Sequence, residues 1–263
     1  MLRTHGGLGN QLFQILYARL YAEQFGLSLR EIHDTRYPHA FPRSEVIALS
    51  DTPSILQRSL SDIRFPKILS RATGRSEKPL RLGNTIYIDG YFQDMNSFGS
   101  FTSAAIKYQL DLLADELGIV ASEDGQLVHL RLGDFFGNKM AAMEHVGNRI
   151  SQVSAGSKIM TNDENLMKEP EIARILNDKN IQLITTEGMS AEQVLREMSR
   201  YSRIDANNST LAFWAAIFGH SELTLSDKKL HSSYLFFRNL AMNRVSRSPQ
   251  DDVPPTLSPV LKG

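Results

Sequence analysis

Between residues 127 and 225 the chain alternates apolar runs of strand length with segments of helical periodicity, which constrains its fold more than any other feature. The strand-like runs are 127–132, 158–163, 181–185, 203–206 and 222–225. Helical spacing fills the gaps at 139–153 and 171–176, around Val194, Leu195 and Met198, and at 211–218, which holds the only tryptophan, Trp214. Strand and helix repeated in this way predict an α/β fold with a parallel sheet and right-handed crossovers. Ligands of such sheets sit beyond the carboxyl ends of the strands, so the residues closing each strand carry the functional information. Three ends are polar: His129-Leu130-Arg131-Leu132-Gly133-Asp134, Thr161-Asn162-Asp163 and Asn207-Asn208-Ser209-Thr210. A guanidinium suits a phosphate because its planar fork donates two parallel hydrogen bonds. The Asn-Asn-Ser-Thr run would cap the following helix and point its N–H groups at an anion. Each cluster also has a structural reading, with His129 in the core, Arg131 paired to Asp134, and Ser and Thr acting only as caps.

The N-terminal part repeats the theme once. A short strand within residues 1–5 runs into Gly6-Gly7-Leu8-Gly9. From Asn10 a helix carries Leu12, Phe13, Ile15, Leu16, Leu20, Tyr21 and Phe25 and stops at Gly26. A glycine turn opening a helix lets backbone N–H groups approach an anion closely. It is neither the dinucleotide fingerprint, since Leu12 stands where the third glycine belongs, nor a P-loop, since no Gly-Lys-Ser/Thr follows. A second strand over 27–32 ends at His33-Asp34, before a loop with Pro38, His39 and Pro42. Over 55–81 seven basic residues face only Asp62 and Glu77, which predicts a solvated helical face, with weak attachment to an anionic membrane surface as the alternative. A strand at 85–88 with an aromatic turn and a helix at 106–117 follow. Ser190-Ala191-Glu192-Gln193 offers a capping box only loosely, because the acid falls two positions after the serine. These features predict an N-terminal domain over 1–122, a C-terminal domain over 123–245 and a loose Pro/Ser-rich tail over 246–263.

Composition narrows the function. The 263 residues carry 29 basic and 29 acidic side chains, and that balance disfavours a general nucleic-acid binder. With no cysteine, disulfides, thiolate catalysis and cysteine zinc sites are excluded, and the seven histidines are too dispersed to suggest a metal. No apolar run reaches the roughly 18 residues of a membrane span, and no signal-peptide core is visible at the start. A cytoplasmic protein is the expectation.

Taken in order, Gly6-Gly7-Leu8-Gly9-Asn10-Gln11-Leu12-Phe13-Gln14, His129-Leu130-Arg131-Leu132-Gly133-Asp134 and Asn208-Ser209-Thr210-Leu211-Ala212-Phe213-Trp214 resemble the α-1,2-fucosyltransferase family. That family has a GGLGNQxFQ start, an H-x-R-R-x-D motif and a late N-S-S-F-S-W-W stretch. Thr161-Asn162-Asp163 looks like its S-D-D, and Gly90-Tyr91-Phe92-Gln93 like its G-Y-F/W-Q. The resemblance implies a GT-B-like architecture, two Rossmann-like domains with a cleft between them. It implies inverting transfer of L-fucose from GDP-fucose to a glycan hydroxyl, as in a galactoside α-1,2-fucosyltransferase, without an obligatory metal or other cofactor. Carried over by position, Arg131 would neutralise the diphosphate leaving group and His129 would orient the nucleotide or the loop. Gly7, Gly9, Asn10, Asp134, Asp163, Asn208, Ser209 and Thr210 would complete the donor site. The motifs leave the catalytic base open, with His33, Asp34 and His39 suggested by chemistry and loop position.

The chain departs from the family at Leu132 in place of the second arginine, Asn162 in place of the first acid, Phe213 in place of the first tryptophan and Ala215 in place of a glycine. H-L-R-L-G is closer to protein O-fucosyltransferases, so linkage and acceptor stay open. Two other classes compete: a non-catalytic nucleotide-sugar or glycan-binding protein that keeps the fold, and a dinucleotide-dependent oxidoreductase, which the incomplete glycine fingerprint disfavours.

Overall fold

The computed structural model describes residues 2–4, 6–29, 31–33, 79–82, 85–88, 90–120, 123–132 and 138–242. Strand β1 (Leu2–Thr4) passes through Gly6, at φ +80°, into α1 (Leu8–Gln24), and β2 (Glu31–His33) lies parallel to β1. The second strand starts later than its apolar pattern predicts. Leu27 N–H bonds back to the Ala22 carbonyl and Gly26 sits at φ +60°, so these residues are spent closing α1. Strands β3 (Leu80–Leu82) and β4 (Thr85–Tyr87) form an antiparallel hairpin, and Ile88 bridges to Leu2. A 3-10 turn, Met95–Phe98, precedes α2 (Ser103–Glu116), whose start is set by the Thr102 side chain capping Ala105 N–H.

The remainder is the predicted alternation: β5 (Glu123–Leu130), α3 (Lys139–Gln152), β6 (Lys158–Thr161), the short α4 (Glu164–Met167), α5 (Pro170–Asp178), β7 (Gln182–Thr185), α6 (Ala191–Ser199), β8 (Tyr201–Ala206), α7 (Thr210–Phe218), β9 (Glu222–Leu225) and α8 (Lys228–Met242). Among the described residues the five strands β5–β9 make one all-parallel sheet in the order β7-β6-β5-β8-β9. The chain therefore starts in the middle, moves out one way and returns to build the other half. The order reverses between β5 and β8, the place where a crevice opens in sheets of this kind.

Apolar layers cover the sheet on both faces. Val128, Leu130, Leu132 and Ile159 pack with α3, α4 and α5 on one side. Leu127, Met160, Ile204, Ala206 and Leu223 pack with α6, α7 and α8 on the other. Helix α7 is buried on all sides from Ala212 to Phe218, which explains a sequence with no polar stripe. It is enclosed by the sheet, α8 and α1, and Phe13 of α1 lies 4.6 Å from Trp214 and 4.8 Å from Phe213 between ring centroids. One apolar cluster thus runs from Leu2 through α1 and α2 to α7 and α8. No described helix is long and apolar enough to cross a membrane.

Candidate functional site

The alternation of β5 sorts its side chains. Val128, Leu130 and Leu132 enter the apolar layer under α3, so His129 and Arg131 take the other face, at the carboxyl edge. Leu132 is 1% exposed and belongs to the core. Its backbone N–H bonds to Asn162 Oδ1 at 3.0 Å, tying the end of β5 to the end of β6.

Two helix N-termini from opposite ends of the chain meet beside this edge. Gly7 begins α1 with no side chain to cap it, whereas Ser209 caps α7 by accepting from Ala212 N–H at 3.2 Å. The two helices touch at Gly9. A Cβ there would lie 2.5 Å from the Thr210 carbonyl carbon and 2.6 Å from Leu211 N, so only glycine fits. Trp214 Nε1 donates to the Gly9 carbonyl at 2.8 Å, and Thr210 Oγ1 donates to Asn10 Oδ1 at 3.0 Å. The first N–H groups of a helix have no intrahelical partner and carry its positive dipole end, so this junction favours an anion.

These parts line one cleft of about 840 Å³. Gly7, Gly9 and Asn10 come from α1, His129 and Arg131 from the end of β5, Asp163 from the end of β6, and Ser209 and Thr210 from the start of α7. All are residues that the sequence motifs single out. Asn208 is exposed and outside the lining, because Ser209 rather than Asn208 makes the cap. Asp34, His39 and Asp134 lie outside the described residues, as do the basic segment up to residue 78 and the 246–263 tail. His33 closes β2. Asp163 has a structural task as well, accepting from Leu166 N–H at 3.1 Å to cap α4.

His129 is the most unusual group in the cleft. Burial, and then the neighbouring Arg131 guanidinium, push its pKa down to about 4, so the ring is neutral near pH 7. Only 7% of the residue is exposed, and its Nδ1 has no hydrogen-bond partner. Lys168 adds a second cation to the lining, 3.7 Å from the Glu164 carboxylate, and Glu187 adds an acid after β7. Sequence reasoning missed both. Glu187 follows a strand end like the others and the same rule would find it, whereas Lys168 hangs on a single helical turn too short for periodicity. Leu8, Met189, Val194 and Leu211 give the cleft an apolar wall. No group of three or more His, Asp or Glu among the described residues is placed to hold a metal ion.

Compared with models of protein families, with curated proteins and with solved structures, the chain matches none.

Proposed function

We propose that the cleft binds GDP-fucose and that the protein is an inverting fucosyltransferase, a hexosyl-transferring enzyme acting on a glycan hydroxyl in the cytoplasm. The observation that carries this reading is convergence. Three motifs spread from residue 7 to residue 210 share one cleft at the reversal point of a parallel sheet, and each brings an anion-binding device. In the GT-B arrangement of this reading, residues 1–122 form the acceptor-side domain, of which the parallel pair β1–β2 is the supporting part.

The diphosphate lies against Arg131 and the N-termini of α1 and α7. The apolar wall of Leu8, Met189, Val194 and Leu211 takes the base, and Asp163 the ribose. As the acceptor oxygen bonds to the anomeric carbon, the bond from that carbon to the phosphate oxygen breaks, and negative charge grows on the diphosphate. The fixed guanidinium and helix N–H groups stabilise that charge without reorganising. The acceptor hydroxyl gives its proton to a base from the N-terminal side, for which Asp34 and His39 are candidates. His129, neutral and shielded, hydrogen-bonds to the donor instead of taking this proton.

Calorimetric titration with GDP, GDP-fucose and GDP-mannose, without added metal, tests the reading. GDP and GDP-fucose should bind, and Arg131→Ala should weaken both by about 1.5–3 kcal/mol, the range for a lost hydrogen bond to a charged group. Failure of the wild-type protein to bind any of them overturns the reading. Tight binding of GDP-fucose without release of fucose to glycan acceptors or water would leave a binding protein in place of an enzyme.

A further inference from the structure

We infer that Asn10 presents its side-chain N–H pair to the anionic ligand of the cleft, and that Gln93, outside the cleft, is the positioning residue that fixes this orientation. The inference rests on reading the cleft as a nucleoside-diphosphate site.

Asn10 lines the cleft in the first turn of α1. A side-chain amide has one acceptor oxygen with two lone pairs and one donor nitrogen with two hydrogens. Both lone pairs of Asn10 Oδ1 are taken: Gln93 Nε2 donates at 2.9 Å and Thr210 Oγ1 at 3.0 Å. The amide nitrogen must then turn the other way, toward the glycine turn that opens the helix. There it lies 2.8 Å from the point a Cβ on Gly6 would occupy, at a residue whose φ of +80° already favours glycine. Neither hydrogen on this nitrogen has a protein partner among the described residues. Two donors are left beside a helix N-terminus, at the wall of a cleft that already holds Arg131.

Gln93 is not in the lining, and its backbone is held from three sides. Phe92 before it sits at φ +49° and stacks on Tyr17, with ring centroids 4.0 Å apart and planes 10° from parallel. The Gln93 carbonyl accepts from Ser233 Oγ of α8 at 2.9 Å. Asp94, the next residue, caps the 3-10 turn by accepting from Asn96 N–H at 3.0 Å. The chain spends an otherwise costly left-handed phenylalanine on aiming one amide at Asn10. Replacing that donor by an acceptor would favour the opposite rotamer of Asn10, with its carbonyl oxygen facing the anion.

The test is a set of calorimetric titrations with GDP and with inorganic pyrophosphate on wild type, Asn10→Ala, Gln93→Glu and the double variant, with melting temperatures measured alongside. Asn10→Ala should weaken binding about tenfold, as for one lost charge-assisted hydrogen bond. Gln93→Glu should do at least as much from outside the cleft. The double variant should bind no worse than Asn10→Ala, because Gln93 acts only through Asn10. Should Gln93→Glu fail to fold, Gln93→Leu, which removes the donor without imposing the reversed rotamer, should lose about threefold and be equally silent over Asn10→Ala. Unchanged binding in the Gln93 variants, or losses that add, overturns the inference while leaving the nucleotide reading intact. A wild type that binds pyrophosphate but not GDP overturns the GDP reading, and the same comparison is then made with pyrophosphate. A wild type that binds no diphosphate overturns both.

Discussion

His129 links the stability of the protein to pH. Its folded pKa of about 4 lies below the ordinary histidine value of 6.5, so between these values the unfolded chain binds a proton that the folded chain does not. The stability associated with a neutral His129 is present in full above pH 6.5 and is lost as pH falls toward 4. Between pH 7.5 and pH 5 the wild type should lose about 2 kcal/mol more than His129→Gln, measured by urea unfolding at both values. Equal losses would mean that the ring protonates freely in the folded state. The side on which His129 and Arg131 lie was readable from the leucines alternating with them. The orphaned Nδ1 was not, because it depends on what the fold brings around the ring.

At the scale of elements, the seam between α1 and α7 leaves no room for a side chain at Gly9. Gly9→Ala must push the Thr210 backbone aside, and its expected cost is about 1–3 kcal/mol of stability, as for an overpacked core. On the proposed reading, nucleotide affinity should fall along with the urea midpoint, since the same shift displaces two helix N-termini from the ligand. A variant that keeps the midpoint and loses only affinity would place the clash elsewhere. The glycine motif was legible as a close approach, but its partner was not, because Gly9 and Thr210 are brought together only by the fold. Local chemistry was sometimes underread: Ser190 and Gln193 form a complete capping box, with glutamine supplying the group sought from an acid at a neighbouring position. The short α4, whose single turn holds Lys168 at the cleft, left no pattern to find.

At the scale of the whole molecule, the strand–helix alternation specified the parallel sheet, because a buried sheet demands apolar runs that polar loops must interrupt. The partition at residue 122 was drawn from the acidic, glycine-containing run at 120–125, and such a run does not report which core a side chain joins. Leu12, Phe13 and Leu16 of α1 and Leu113 of α2 belong to the same apolar cluster as Phe213, Trp214 and Phe237. The expected thermal unfolding is therefore a single transition, with no separate melting of the N-terminal part. Scanning calorimetry decides this, and two resolved peaks would mean that residues 1–122 hold together without α7.

The glycine-to-backbone seam has a further meaning for how a ligand arrives. Trp214 Nε1 donates to the Gly9 carbonyl and Thr210 Oγ1 to Asn10 Oδ1, so the first turn of α1 is tied to α7 before any ligand comes. On the proposed reading, a nucleotide meeting this wall gives up its own freedom but asks little ordering of the protein. On that reading, adaptation to different sugars or acceptors falls to residues away from this seam, where variation can change what is transferred without disturbing where the phosphates sit.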